Sequence, residues 1–282
     1  VGNNAGNTTQ GANAVAVGRS AGVQVQGASA VAIGYQAGTT NQSDVAVAIG
    51  SNAGLTSQGT ESVAIGLLAG KLNQGSQTIA IGSEAGRDDQ GANGIALGHE
   101  SGRADQAEFG IAIGEKAGHS NQGIRGIGIG RSSGKTDQGT KAVAIGDAAG
   151  YATQGANAIA IGADAGNSSQ GANATAIGGG SAQYSQGEGA VAIGYLAGSD
   201  TQSLESIAIG KQAGQGAYAV ATYVSGGVAS TVMVVDDTTD IVVGMRVTST
   251  GTGFTYTLLE QQQKVLSIDN ATTVTLSAVA NA

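Results

Sequence analysis

Hydrophobic and polar positions recur along most of this chain with a period of sixteen residues. Counted from Gly11, one unit reads GANAVAVGRSAGVQVQ, the next GASAVAIGYQAGTTNQ, and then SDVAVAIGSNAGLTSQ and GTESVAIGLLAGKLNQ. Twelve full units cover residues 11–202, with a partial unit before them and another, ending at Gly214, after them. Glycine recurs fourteen times from Gly2 to Gly210, always preceded by Val, Ile or Leu. Two residues before that aliphatic stands another Val or Ile, with Thr175 as the exception, and Ala (once Gly128) lies between them. A second glycine follows four residues after the first, except at Ala182, and glutamine closes the unit thirteen times from Gln10 to Gln202.

The stretch Ala14-Val15-Ala16-Val17 alternates small and large side chains, the mark of a strand with two different faces. It is too short for a helix, and the glycine load disfavours one. Sixteen residues also cannot hold the two helices and turns of a helical repeat. Gly18 permits a bend at positive φ, and Ala21-Gly22 marks a second corner or a close backbone approach. The unit therefore predicts one coil of two short strands and two turns. Coils stacked in register give a parallel β-roll, or β-solenoid, about 60–65 Å long at the usual strand spacing.

The two large aliphatics of each coil, such as Ile79 and Ile81, are the expected core, and that core is thin. Ordering sixteen residues costs more than so little burial returns. The alanine face would let another copy pack closely, so the expectation is a homotrimer around a common axis. The in-register glutamines admit two readings: an amide ladder from coil to coil, as in stacked β structures, or a polar stripe for a ligand.

Composition narrows the classes. Glycine supplies 50 of 282 residues, with no Pro, Cys or Trp and only 2 Phe and 7 Tyr. Collagen would need glycine at every third position and abundant proline. Without cysteine there is no disulfide frame or thiolate metal site. A hydrophobic share of 40% argues against disorder. No apolar run approaches the roughly 20 residues of a membrane helix, so membrane insertion is not expected of this segment. The leucine and aromatic core of an ordinary enzyme is also missing. The start at Val1, inside a repeat, predicts a piece of a longer chain. The formal charge is −8, and no basic patch suggests nucleic acid.

The motifs SVAIG, AVAIG and SIAIG, followed by Ala or Ser three residues on, resemble the head repeat of trimeric autotransporter adhesins of the YadA type. Similar repeats occur in bacteriophage tail fibres. The resemblance covers residues 1 to about 214 and implies a left-handed, trimeric parallel β-roll with the aliphatics inside each coil.

Composition shifts after Gly214, where glycine thins and Val and Thr rise. Residues 217–224, 231–235, 241–248, 256–259, 265–269 and 273–276 read as short strands between turn-forming stretches. A small all-β domain, sandwich or barrel-like, is expected over 215–282. The stretches VVGMRVTSTGTGF and KVLSIDNATTVTLS resemble small β modules of phage tail and virion proteins.

Candidate chemistry is sparse. GIGIGRSSG (126–134) lacks the long helix and downstream acid of a dinucleotide loop, and its glycines fall in the repeat register. His99 and His119 occupy different positions of adjacent units. Asp88, Asp89 and Asp105, and likewise Asp236, Asp237 and Asp240, read as acidic turns rather than calcium sites, which need six to eight oxygens. No nucleophile–base or paired-carboxylate arrangement stands out. No catalytic residue, cofactor or metal is expected. Variable charged and aromatic residues collect at the turns, where solenoids carry specificity. Tyr35, Arg87, Tyr151 and Tyr195 are the candidate binding residues, the tyrosines by stacking on sugars.

The expected function is that of a fibrous trimeric adhesin segment, foremost of a bacteriophage tail fibre that presents or spaces surfaces for a host glycan or protein receptor. It would lie on the virion or on a bacterial cell surface, in either case outside the cell. The rivals are a bacterial surface adhesin and a purely structural shaft. An ice-binding solenoid would need a sustained threonine array, and Thr8, Thr9, Thr39 and Thr40 do not continue from unit to unit.

Overall fold

The computed structural model describes residues 1–214 and, beyond them, the strands Val232–Val234, Val265–Asn270 and Thr273–Leu276. The chain divides into two compact units, Val1–Gly216 and Ala217–Ala282. In the second unit, Thr273–Leu276 pairs antiparallel with both other strands. The strands expected at 217–224, 241–248 and 256–259 lie outside the described residues.

The first unit is the expected β-solenoid. Two parallel sheets of thirteen strands each run its length. One contains the aliphatic strands, Val15–Val17 to Ile207–Ile209; the other contains the glutamine strands, Thr9–Gln10 to Thr201–Gln202. Pairing follows the repeat: Ile79, Ala80 and Ile81 lie beside Ile95, Ala96 and Leu97. With Gly11 as position 1 of a coil, the aliphatic strand takes positions 5–7. One turn follows it, the glutamine strand ends at position 16, and the second turn fills positions 1–4.

The facing of the aliphatic strand is the reverse of the expectation. Ala80, Ala96 and Ala112 are fully buried, whereas Ile79 is 37% and Leu97 42% exposed. The reason is the width of the coil. A Cβ placed on Gly86, across the interior, would lie only 3.2 Å from the Ala80 methyl. Two such walls leave room for methyl groups and flat amides, not for branched side chains. The alanines are thus the core, and the aliphatics form two columns on the outside. The implied aliphatic interior and the alanine packing face are both corrected.

The backbone holds this narrow section through special conformations. At position 8, Gly82 has φ +132°, and a Cβ there would sit 2.5 Å from the carbonyl oxygen of Gly98 in the next coil. At position 12, Gly102 has φ +49°, and its absent Cβ leaves room for the Gln106 amide.

Position 15 divides the solenoid into segments. Asn41, Ser57, Asn73, Asp89, Asp105, Asn121 and Asp137 are all left-handed, with φ between 51° and 55°. Val25, Thr153, Ser169, Ser185 and Thr201 at the same position are not among the positive-φ residues; for the Val and Thr, branching at Cβ disfavours that conformation. Register records the change: across Gln26/Gln42 and Gln138/Gln154 only the glutamines remain paired. Within the central segment position 15 bulges out of the ladder, as where Asp88 pairs with Ala104 and Gln90 with Gln106.

Candidate functional site

The glutamine column lies inside the coil. Gln106 is 1% exposed and donates through Nε2 to the Ile95 carbonyl at 2.9 Å and to Gln122 Oε1 at 2.9 Å. It accepts in turn from Gln90 Nε2 at 3.0 Å. The same chain of amides runs unbroken from Gln74 to Gln202. It breaks between Gln26 and Gln42 and between Gln58 and Gln74, where Gln42 Oε1 and Gln74 Oε1 have no partner among the described residues. Of the two readings of this column, the structural ladder is the one observed: buried amides satisfy one another and the aliphatic strand's carbonyls.

The variable residues lie on the outside, and the turn after the aliphatic strand gathers the charges. Positions 10 and 13 meet there, because positions 9–12 fold back on themselves. Glu84 Oε2 accepts from Arg87 Nη1 at 2.9 Å and from Arg103 Nε, one coil on, at 2.9 Å. Arg87 Nε also donates to Asp88 Oδ2 at 2.8 Å. Hydrogen bonds from Arg103 and then Arg87 hold the Glu84 carboxyl below its ordinary range despite partial burial.

The two histidines occupy different columns, as the sequence spacing requires, yet converge on one carboxylate. His99 Nε2 lies 3.4 Å from Glu100 Oε1, and His119 Nε2 lies 3.2 Å from Glu100 Oε2. His119 Nδ1 is 2.7 Å from Ser120 Oγ. Burial, and next the Arg103 charge, push the His119 pKa down, outweighing Glu100.

The predicted binding residues are placed but not assembled. Tyr35 and Tyr195 share position 9 ten coils apart, and Arg87 and Tyr151 share position 13 four coils apart. Tyr35 is 42% exposed, with the Arg19 guanidinium 5.2 Å from its ring centroid. Tyr151 lies beneath Lys135, whose Nζ is 4.6 Å from its ring centroid and 2.8 Å from its hydroxyl. Arg87 is occupied by Glu84 and Asp88. Tyr195, 57% exposed, leans over Gly179. A basic column missed at the sequence level, Lys71, Arg87, Arg103, His119 and Lys135, could have been found from its sixteen-residue spacing.

The opposite turn is acidic. Asp89, Asp105 and Glu108 line a shallow groove with Asn73 and Ile124. Asn73 Nδ2 donates to Asp89 Oδ1 at 2.8 Å, and Asn121 Nδ2 to Asp137 Oδ1 at 2.8 Å. Among the described residues, no three His, Asp or Glu side chains are grouped to hold a metal ion. None of their helices is long and apolar enough to cross a membrane.

The largest continuous feature is the aliphatic stripe, with Ile33, Ile129, Ile145 and Ile161 each 36–38% exposed. Thr175 interrupts one of its two columns. Compared with family models, characterised proteins and solved structures, the chain finds no significant match.

Proposed function

We propose that this chain is a segment of a fibrous, homotrimeric adhesin, foremost of a bacteriophage tail fibre working outside the cell, and that it acts without chemistry. The aliphatic stripe carries this reading. Partly exposed Val, Ile and Leu follow one another over thirteen strands, interrupted in one column by Thr175, a length of about 60 Å at the usual strand spacing. Contiguous apolar surface of that extent marks an interaction face. Three stripes turned toward one axis would cover each other and leave the glutamine sheets and turns outward. The rod then spaces or presents receptor-binding surfaces, and three copies add avidity.

A second reading, the pure shaft, is favoured by one observation. Arg87, Arg103, Tyr35 and Tyr151 are engaged within the chain, and their columns do not converge on a pocket. The two roles separate in one experiment. The labelled full chain is applied to a glycan array and to intact bacterial cells, beside a Tyr35→Ala/Tyr195→Ala variant. The adhesin reading expects saturable binding that the variant weakens. Saturable binding unchanged in the variant moves recognition away from these tyrosines, and no binding at all supports the shaft.

A further inference from the structure

The two turns that flank the aliphatic stripe carry opposite charge in the central coils. Over residues 43–138, the turn after the aliphatic strand, through position 14, holds six Lys and Arg against four Asp and Glu. The turn before it, from position 15 to position 4, holds six Asp and Glu against the single Arg125. Contacts within the chain assign the groups to these edges. Glu84 at position 10 holds Arg87 and Arg103 at position 13 on one edge. Asp89 and Asp105 at position 15 line a groove with Glu108 at position 2 on the other. Lys71, Lys116 and Arg131 add to the first edge; Asp44, Glu61 and Asp137 add to the second.

We propose that the partner covering the aliphatic stripe is a second copy of this chain lying parallel to the first, and that the opposite charges of the two turns select this orientation. The inference rests on reading the stripe as a self-association face. Geometry then does the selecting. When copies are related by rotation about an axis along the rod, each copy's basic turn meets the next copy's acidic turn, whatever the number of copies. When they are related by an axis across the rod, the stripes still meet, but basic turn faces basic turn and acidic faces acidic. Hydrophobic contact alone does not distinguish the two arrangements, because it is non-directional. Charge does, by attraction in one case and repulsion in the other. Outside residues 43–138 the charges are fewer and mixed, so the central coils set the orientation.

The test uses the full chain and three charge variants in sedimentation velocity. The first is Lys71→Glu/Lys116→Glu/Arg131→Glu, the second is Glu61→Lys/Asp105→Lys/Glu108→Lys, and the third combines all six changes. At low salt each single-edge variant is expected to associate at least about tenfold more weakly than the native chain, as for a few exposed pairs. The combined variant, with both edges reversed, should recover native strength to within about threefold. Native association should also weaken as salt is raised.

Orientation is read separately. The chain has no cysteine, so Ala12→Cys takes a single dye, and chains labelled with donor and acceptor are mixed. Parallel copies bring the dyes to one end and give efficient transfer. Antiparallel copies hold them about 50 Å or more apart by coil spacing, with little transfer. If the single-edge variants fail to fold by circular dichroism, salt dependence and energy transfer in chains of native charge still decide. A monomeric native chain removes the self-association reading and this inference with it. An oligomer with salt-independent mass, or with low transfer, overturns the charge selection and leaves self-association standing.

Discussion

The two sheets of the solenoid are alike in strand number, direction and spacing, yet they treat hydrophobicity in opposite ways. The aliphatic sheet turns alanine inward and its large side chains outward. The glutamine sheet turns its long polar side chain inward and its variable residues outward. The lesson is that the width of the interior, not hydrophobicity alone, decides what is buried. An amide is flat and bonds to its equivalent one coil away, as Gln106 does with Gln90 and Gln122. A branched aliphatic in the same space would collide with the opposite wall. The chain therefore spends its most hydrophobic side chains on the surface, where only another molecule can finish burying them.

This contrast can be broken most strongly at adjacent residues of one strand. Ala112→Leu overfills the interior and is expected to cost about 3 kcal/mol or to unfold the coil, measured by urea denaturation. Ile113→Ser, one residue on, should leave the far-UV circular dichroism intact and lower the solution mass. Equal effects of the two on the fold would contradict the assigned facing.

The next effect is expected at the amides. Gln106→Met, unbranched and close to glutamine in length, leaves Gln122 Oε1 without its donor and takes a donor from the Ile95 carbonyl and an acceptor from the Gln90 amide; it should cost about 2 kcal/mol. Gln42→Met should cost less, because Gln42 Oε1 is already without a partner.

A smaller effect separates the central coils from the flanking ones. Asp105→Val forces a branched residue into the left-handed conformation at φ 55° and should cost about 1–2 kcal/mol. Ser169→Val occupies the same coil position in a segment without that bulge and should change stability by less than about 0.5 kcal/mol.

The smallest effect is in pH. His119 has a folded pKa below its ordinary 6.5, so the unfolded chain binds the proton more readily. Its contribution is present above pH 6.5 and is lost as pH falls through the folded value. Glu84, held below its ordinary 4.5, acts in the same direction: its contribution is present above pH 4.5 and is lost in stronger acid. Urea midpoints should therefore fall as pH is lowered from neutrality. In His119→Asn the decline just below pH 6.5 should be shallower, and an unchanged slope would remove the histidine from the account.

Much of this was legible in the residues. The period, the strand at Val15–Val17, the corner at Gly18 and the glutamine column all follow from spacing, because a stacked coil must repeat its backbone. The facing was not legible in the same way. Alternation of Ala and Val says that two faces differ, not which one is inside; the distance between the walls settles that, and no single unit states it. The position 15 segments were legible only in part: Asn and Asp mark the left-handed segment and Val and Thr lie outside it, but Ser stands in both, as Ser57 and as Ser169 and Ser185. The meeting of His99 and His119 at Glu100 was not written in column positions. It depends on the turn folding positions 9, 10 and 13 onto one edge. The candidate residues Tyr35, Arg87, Tyr151 and Tyr195 lie at the turns, but sequence spacing could not reveal that Arg19, Glu84 and Lys135 already engage three of them.

The account's central claim is that the outward aliphatic stripe is covered by copies of the same chain. Light scattering on the purified full chain at micromolar concentration tests it most directly. Three times 27.2 kDa, about 82 kDa, is the mass expected. A mass of 27.2 kDa that persists as concentration is raised would contradict it, and would mean that a solenoid of alanine and glutamine stands alone with its aliphatics in water.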